Sequence, residues 1–176
     1  MVDGETTAGP ERTGAPDGSL VPPEFRASVS ILVIDDERTL RESCRTVLDA
    51  EGYRLEVCGR GDDALALVQR KRFDIVLCDL YMSDVTGMEL LQATLAAAPE
   101  TIVVVMTGNP SVGSNLEALR AGAWDYIPKP FSATHLQILV GRAAHTVFVA
   151  RESKAHGRDA GGGDGLGETL NVLGRS

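Results

Sequence analysis

The sequence has few cysteines, no excess of basic residues and no long apolar run, and each shortage excludes a class of protein. Three cysteines in 176 residues, without a CxxC pair, fit neither a disulfide framework nor a zinc site. No stretch approaches the roughly 18 apolar residues of a membrane-spanning helix, and the N-terminus lacks a secretory signal. A net charge of −8 argues against a general nucleic-acid-binding surface. The composition therefore predicts a cytoplasmic protein with reduced thiols that contacts neither membrane nor nucleic acid.

Composition divides the chain into three parts. Residues 1–28 are rich in Gly, Pro, Thr, Asp and Glu and show no apolar periodicity, which predicts a disordered leader. Residues 29–150 carry the apolar residues of a core and form the predicted domain. Residues 151–176 contain the stretch GRDAGGGDGLG and predict a flexible Gly-rich tail or linker, although helical composition continues to Ala155.

Within the domain, short apolar runs alternate with helical patterns. Five runs predict buried strands, namely Val29–Ile34, Leu55–Cys58, Ile75–Cys78, Ile102–Met106 and Asp125–Pro128. The segments that follow them show apolar residues three and four positions apart, which is typical of helices that bury one face. This alternation predicts an α/β fold, with a doubly wound five-stranded parallel sheet flanked by five helices.

Polar residues follow three of these strands directly. Asp35 and Asp36 come after the first strand, Asp79 after the third and Thr107 after the fourth. In such sheets ligands bind beyond the carboxyl ends of the strands, so we expect these side chains to share one crevice. Three carboxylates repel one another unless protons or a cation compensate, and an incomplete all-oxygen ligand set favours Mg²⁺ over Ca²⁺.

The same crevice has the groups that a phosphoryl group would need. Lys129 follows the fifth strand and would add a positive charge opposite the carboxylates. A hydroxyl, an ammonium group and a metal ion around one carboxylate suit a phosphoryl group, and the carboxylate itself can act as the nucleophile. The Gly-rich turn of nucleotide-binding sheets is absent after the first strand, where the acidic run 35–37 excludes a flavin or dinucleotide site.

Four segments in this order resemble the receiver domains of two-component response regulators, of which the chemotaxis regulators are the best known. They are ILVIDDE (31–37), DIVLCDLYMSDVTGMELL (74–91), VVVMTG (103–108) and AGAWDYIPKPF (121–131). The resemblance implies a flavodoxin-like sheet with strand order 2-1-3-4-5. It also implies a signalling module that accepts a phosphoryl group from a sensor histidine kinase or phosphotransfer protein. Such a module is not a metabolic enzyme and at most catalyses its own phosphorylation and dephosphorylation.

The resemblance assigns the acidic residues to phosphoryl acceptance and metal binding. It implies that Asp79 is the phosphoacceptor. It further implies that Asp35, Asp36, Asp79 and the backbone carbonyl of Tyr81 bind Mg²⁺, with Asp36 as the direct ligand of the acid pair.

The resemblance assigns a second group of residues to the switch. It implies that Thr107 and Lys129 contact the phosphoryl group, that Tyr126 turns inward as Thr107 moves, and that Lys129-Pro130 matches a peptide bond often found cis. The face built from the fourth predicted helix and the fifth strand would then rearrange. A homodimer through this face or through the last helix is a further expected interaction.

The chain departs from the family pattern in the loop after Asp79. Ser83 replaces the usual proline, and Thr86 replaces a common aspartate before Gly87. We expect these changes to alter the rigidity of the loop and the lifetime of the phosphoryl group, but they remove no chemical group that the site uses.

The sequence is compatible with two other functions, and it contains no recognisable output domain through which a signalling module would act. A receiver-like scaffold that is never phosphorylated would keep the same fold, whereas an aspartate-nucleophile phosphatase would have a second aspartate where Tyr81 stands. No helix-turn-helix, phosphate-binding loop or cyclic-nucleotide motif follows Val149. The segments AGAWDYIPKPF and LNVLGRS are similar to the receiver–ATPase junction of NtrC-like σ54-dependent regulators. The chain is thus expected to be either such a regulator cut before its ATPase domain or a stand-alone receiver.

Overall fold

A computed structural model of the chain describes residues 21–108 and 112–161. The elements found in these ranges are α1 (Pro23–Arg26), β1 (Ser30–Ile34), α2 (Arg38–Ala50), β2 (Arg54–Cys58), α3 (Gly61–Arg70), β3 (Ile75–Asp79), α4 (Gly87–Ala97), β4 (Ile102–Thr107), α5 (Val112–Arg120), β5 (Asp125–Pro128) and α6 (Ala133–Gly161). No helix in these ranges is both long enough and apolar enough to cross a membrane.

The five strands form one parallel sheet in the order β2-β1-β3-β4-β5. This confirms the predicted doubly wound, flavodoxin-like sheet. Every residue of β3 and β4 is buried. Such strands lie in the middle of a sheet covered on both faces, so they need apolar residues at nearly every position, and their sequences show no alternation.

The two faces of the sheet form two separate cores. Ile31 and Val33 of β1 pack on one side, with residues of α2 and α6. Leu32 and Ile34 point to the other side and pack with residues of α3 and α4. Each fully buried Leu or Ile side chain contributes about 1.5–3 kcal/mol relative to exposure. This two-sided burial fixes the register of β1 and therefore the position of the residues that follow it.

The domain begins earlier than predicted. Val21 is only 2% exposed and belongs to the core, and α1 follows it directly. Residues 21–28 are therefore a packed part of the domain and not a disordered leader, and α1 is a helix beyond the five predicted. No apolar pattern indicates this helix, because Val21 and Phe25 are too few apolar residues to show a period. Residues 1–20 lie outside the described residues.

The last helix also extends further than predicted. The predicted flexible tail began at residue 151, but α6 continues to Gly161. The residues of this extension include Arg, Glu, Lys and Ala, which favour helix even without a buried face. The predicted tail is therefore helical in its first part, and residues 162–176 lie outside the described residues.

Candidate functional site

The carboxyl ends of β1 and β3 bring three acidic side chains together. Asp35 follows β1 and Asp79 ends β3, and the two strands pair with Ile34 opposite Cys78. Asp35, Asp36 and Asp79 each have a carboxylate oxygen within 4.8 Å of the others. Asp35 and Asp79 are buried, whereas Asp36 is exposed. The structure therefore forms the acidic cluster that the strand ends predict.

Lys129 lies against two of these carboxylates. Its Nζ is 2.5 Å from Oδ2 of Asp35 and 3.3 Å from Oδ2 of Asp79. The backbone explains this position, since the amide of Lys129 donates to the carbonyl of Thr107 at 2.7 Å just after β5 pairs with β4. The Lys129-Pro130 peptide bond is cis. The side chain is largely shielded from water, at 16% exposure.

Burial and the closeness of the charged groups shift the pKa values of Asp79 and Lys129. Burial raises the pKa of Asp79 above its ordinary value of 3.8, and the charge of Asp35 adds to the rise. The amide of Tyr81 and the charge of Lys129 oppose it without cancelling it. For Lys129, burial lowers the pKa, but contacts with Asp35 and Asp79 outweigh burial and hold it above 10.5. The lysine therefore stays charged at neutral pH.

Tyr81 joins the acidic cluster to a neighbouring helix. Its amide donates to Oδ1 of Asp79 at 3.2 Å, which places the backbone of residue 81 at the edge of the cluster. Its hydroxyl oxygen lies 3.0 Å from Oγ of Ser114 in α5, and the side chain is 51% exposed. The loop after β3 is thus tied both to the carboxylate of Asp79 and to the first half of α5.

Thr107 and Tyr126 lie on neighbouring strands at the same edge of the sheet. Thr107 ends β4, is buried and pairs with Pro128 of β5. Tyr126 lies opposite Val105 and is 37% exposed, so its ring is on the surface and outside the acidic cluster. The structure brings Asp35, Asp36, Asp79 and Lys129 together and leaves Tyr126 apart.

Asp84 anchors the loop after β3, a role that sequence reasoning missed. Its two carboxylate oxygens accept hydrogen bonds from the amides of Gly61 and Asp62, each at 3.1 Å. Hydrogen bonds from the amides of Asp62, Val85 and Gly61 lower the pKa of Asp84. The one available signal was that Arg60, before α3, is a poor N-cap and makes no side-chain cap bond, so the cap comes from elsewhere.

Ser83 and Thr86, the two residues that depart from the family pattern, lie on either side of Asp84. Thr86 caps α4 in a capping box, since Glu89 donates its amide to the threonine hydroxyl and accepts the amide of Thr86 with its carboxylate. Ser83 precedes Asp84, whose carboxylate holds the loop on α3. Together with the hydrogen bond from the amide of Tyr81 to Asp79, these contacts fix the loop on both sides of residue 83 without a proline.

Gly87 closes this loop against the end of β3. Its amide donates to the carbonyl of Leu80 at 3.1 Å. A Cβ atom at this position would lie 2.3 Å from the carbonyl oxygen of Asp79 and 2.5 Å from Cα of Leu80. Both are backbone atoms that cannot move aside, so glycine is required for the loop to return this closely to the strand.

Comparison with known proteins agrees with this geometry. Residues 31–140 match the family model described as the response regulator receiver domain. The chain is 38% identical over 123 residues to the transcriptional regulatory protein ZraR of Salmonella typhimurium, which covers 69% of this chain and 28% of ZraR. It is also 38% identical over 108 residues to the response regulator MprA of Mycobacterium sp. (strain KMS), which covers 61% of this chain and 47% of MprA.

Solved structures show the same relationship. NtrX from Brucella abortus matches with a TM-score of 0.66 and 32% identity over 72% of this chain and 29% of NtrX. A CheY-like receiver domain protein from Methanospirillum hungatei JF-1 matches with a TM-score of 0.64 and 28% identity over 66% of this chain and 93% of that protein. The chain spans less than half the length of ZraR and MprA. On its family match, its fold and its acidic edge, the chain belongs to the receiver domain family of two-component response regulators.

Proposed function

We propose that this chain is a phosphorylation-controlled signalling switch whose phosphoacceptor is Asp79. The observation that carries the proposal is the position of Asp79 at the end of a buried strand, beside the carboxylate of Asp35 and 3.3 Å from the ammonium group of Lys129, which contacts both acids. Members of this family are signalling modules, which supports a switch over a metabolic enzyme. The unpaired thiols of Cys44, Cys58 and Cys78 support a cytoplasmic location.

The proposed reaction transfers a phosphoryl group from a phosphohistidine of a sensor kinase or phosphotransfer protein. A carboxylate oxygen of Asp79 attacks the phosphorus, and the new O–P bond forms as the P–N bond breaks. The electron pair leaves with the imidazole nitrogen, which takes a proton from solvent. Lys129, 3.3 Å from Oδ2 of Asp79, would neutralise charge on the phosphoryl oxygens, and the hydroxyl of Thr107 would donate to one of them.

The acidic cluster fits the Mg²⁺ ion that receiver domains generally bind. Its donors are all oxygen atoms, and those of Asp35, Asp36 and Asp79 lie within 4.8 Å of one another. We propose that these three carboxylates hold the ion together with the backbone carbonyl of Tyr81, whose amide already bonds Asp79. When bound, the ion would supply positive charge that stabilises the oxygens of the transferring group.

A groove next to the site supports docking of a helix from the kinase or phosphotransfer protein. The groove lies between α2 and the start of α6 and has a volume of about 700 Å³. Apolar and polar side chains share its lining, including Arg38, Cys44, Val47, Phe131 and Leu136. Such a mixed groove suits an amphipathic helix, and Phe131 lies two residues after Lys129. A docked helix would therefore present its phosphohistidine close to Asp79.

A different face supports the output of the switch. The fourth predicted helix is α5, and its Leu116 and Leu119 are exposed, as is Tyr126 on β5. Exposed apolar side chains on neighbouring elements are typical of an interaction surface. We propose that phosphorylation moves Thr107 and turns Tyr126 inward, and that this change alters binding of a partner or a second copy here. The exposed Ile138 and Val149 support the last helix as an alternative dimer contact.

The similarity to ZraR, a transcriptional regulatory protein, supports control of transcription through an output domain. ZraR is about 38% identical over the shared region, and this region is 28% of its length. We propose that the receiver acts on such a domain by protein contacts and does not bind nucleic acid itself.

Intact mass spectrometry tests the proposed acceptor. The protein is incubated with phosphoramidate, with and without Mg²⁺, alongside Asp79→Asn and the matched control Asp49→Asn, which changes an exposed aspartate of α2. We expect wild type and control to gain one phosphoryl group only with Mg²⁺, and Asp79→Asn to gain none. A gain in Asp79→Asn would contradict the acceptor, and no gain in wild type would favour the unphosphorylated scaffold. Continuous release of phosphate from a phosphate monoester would favour the phosphatase.

A further inference from the structure

A second polar cluster lies at the opposite edge of the sheet, where the strands begin. Arg151 of α6 places one guanidinium nitrogen 2.6 Å from Oδ1 of Asp74, just before β3. Another nitrogen of the same group donates to Oγ of Ser28 at 3.1 Å. The guanidinium also lies 5.2 Å from the centre of the Phe25 ring. One side chain thus contacts both the sheet and the segment 21–28.

Asp74 is itself held firmly by the sheet. Its Oδ2 accepts the amide of Ser30 at 2.9 Å, and its own amide donates to the carbonyl of Ser30 at 3.0 Å. Its carbonyl accepts the amide of Ile102 at 3.0 Å. Because Asp74 is bonded to the first residues of β1 and β4, the ion pair with Arg151 fixes α6 to the sheet and not to a loose loop.

The segment 21–28 is held in place by contacts besides Arg151. Val21 is buried in the core, and the Phe25 ring packs edge-to-face on Phe148 of α6, with ring centres 4.8 Å apart. The buried Arg26 places Nη1 2.9 Å from Oε2 of Glu51, at the end of α2. The segment therefore bridges α2 and α6 and is built into the domain.

These contacts lie where α6 leaves the domain. Val147 is the last buried residue of α6 within the described side chains, and residues 149–158 are exposed. From Val147 to the end of α6 at Gly161 the helix rises by about 20 Å at 1.5 Å per residue. The contacts of Phe148 and Arg151 come in the first turn beyond the core. Residues 21–28 and 141–161 also lie outside the family match at 31–140.

We propose that residues 21–28 and Arg151 form a clamp that fixes the last part of α6 to the domain as one rigid body. Solvent-exposed helical turns without tertiary contacts fray readily, because propensity alone stabilises them little. With the clamp closed, the exposed turns after Arg151 keep a fixed direction relative to the sheet. The clamp would thus make α6 a rigid extension of the domain that presents any following segment or partner at a set angle. This inference does not depend on phosphorylation of Asp79.

Hydrogen exchange on the full 176-residue chain tests the clamp. Arg151→Ala is compared with the control Arg158→Ala, which changes an exposed arginine of the same helix with no ion pair among the described residues. We expect the amides of residues 147–156 to exchange about fivefold faster in Arg151→Ala, as expected for loss of a partly exposed charge pair. Arg158→Ala should leave them unchanged. Equal exchange in Arg151→Ala and wild type would overturn the clamp.

A double-variant comparison separates a clamp from independent contacts. If Phe25 and Arg151 act together, Phe25→Ala combined with Arg151→Ala should accelerate exchange by less than the product of the two single effects. Independent, multiplying effects would overturn the proposal. Arg151→Lys provides a second test if an alanine variant fails to fold. Lysine keeps the charge but cannot bond Asp74 and Ser28 through two planar nitrogens, so exchange should fall between wild type and Arg151→Ala.

Discussion

At the edge where the strands end, Asp35 and Asp79 share one lysine, whereas at the edge where they begin Asp74 and Glu51 are each paired with an arginine of their own. Lys129 lies against both carboxylates of the first edge. At the second edge Arg151 pairs with Asp74, and Arg26 pairs with Glu51. The same sheet therefore carries one unbalanced charge cluster and one balanced set of pairs.

The difference shows what each edge is built for. At the first edge, burial and like charge hold the pKa of Asp79 above its ordinary value, so the native state keeps an unfavourable carboxylate there. Groups with such perturbed pKa values cluster at functional sites, which supports the phosphoacceptor role proposed for Asp79. At the second edge the charges are matched within the chain, which serves the stability and direction of α6.

The largest effect is expected where the first edge is most crowded. Gly87→Ala should lower the free energy of unfolding by about 3 kcal/mol, because the new Cβ would meet backbone atoms of Asp79 and Leu80. Gly141→Ala is the matched control, since α6 leaves open space at this position, and it should raise stability by about 0.5–1 kcal/mol. Urea unfolding at pH 7 measures both. Equal midpoints for the two variants would contradict the crowding.

Removing the shared lysine should have the next largest effect. Lys129→Met should lower the free energy of unfolding by about 2 kcal/mol, because Asp35 and Asp79 lose their common partner. The pKa of Lys129 is raised in the fold, so its contribution is complete below the ordinary pKa of 10.5 and declines as pH rises through the folded value. Unfolding measured from pH 7 to 11 checks this, with the exposed Lys154→Met as control. A loss as large for Lys154→Met would contradict the pairing.

Removing the charge of Asp79 should have a smaller effect of opposite sign. Asp79→Asn should raise the free energy of unfolding by about 1 kcal/mol at pH 7, because the buried carboxylate is unfavourable. The folded pKa is raised, so wild type loses stability as pH rises through it and regains it fully below the ordinary 3.8. The two proteins should therefore converge in acid, as followed by thermal unfolding between pH 3 and 7. A wild type more stable than Asp79→Asn at pH 7 would refute this account.

The smallest effect is expected for an exposed pair near the second edge. Arg72 and Glu100 lie 3.2 Å apart, but their side chains are 76% and 56% exposed. Arg72→Ala should change the free energy of unfolding by no more than about 0.5 kcal/mol, because solvent screens the pair. Arg26→Ala, which opens the buried pair with Glu51, should cost clearly more in the same urea experiment. If the two variants lost similar amounts of unfolding free energy, burial would not make one ion pair contribute more than the other.

The acidic edge could be predicted because its signal is local in the sequence. Buried runs end abruptly at Asp35 and Asp79, and neighbouring parallel strands end at the same edge of the sheet. The alternation of strands and helices also predicts the parallel sheet and places Lys129 after its fifth strand, whereas the strand order is implied by the resemblance to receiver domains. The roles of Thr107 and Tyr126 stay predictions.

The clamp and the cap from Asp84 could not be predicted, since both join distant residues through polar side chains. Arg151 and Asp74 are 77 positions apart, and Asp84 and Gly61 are 23 apart. Apolar periodicity indicates which face of an element is buried, but it does not indicate which long side chain reaches which acceptor. For the same reason the packing of residues 21–28 left no pattern that could be recognised.

The position of Asp79 on β3 limits how the protein can respond to a change there. β3 pairs with β1 on one side and β4 on the other, and all its residues are buried. Moving its backbone would break hydrogen bonds on both sides and open both cores. A group added to Asp79 would therefore displace what surrounds the strand, namely the loop 80–86, Lys129 and the first half of α5. The backbone of β3 therefore keeps its position in the domain. A chemical change at Asp79 can alter the rest of the protein only by moving the residues that surround the strand.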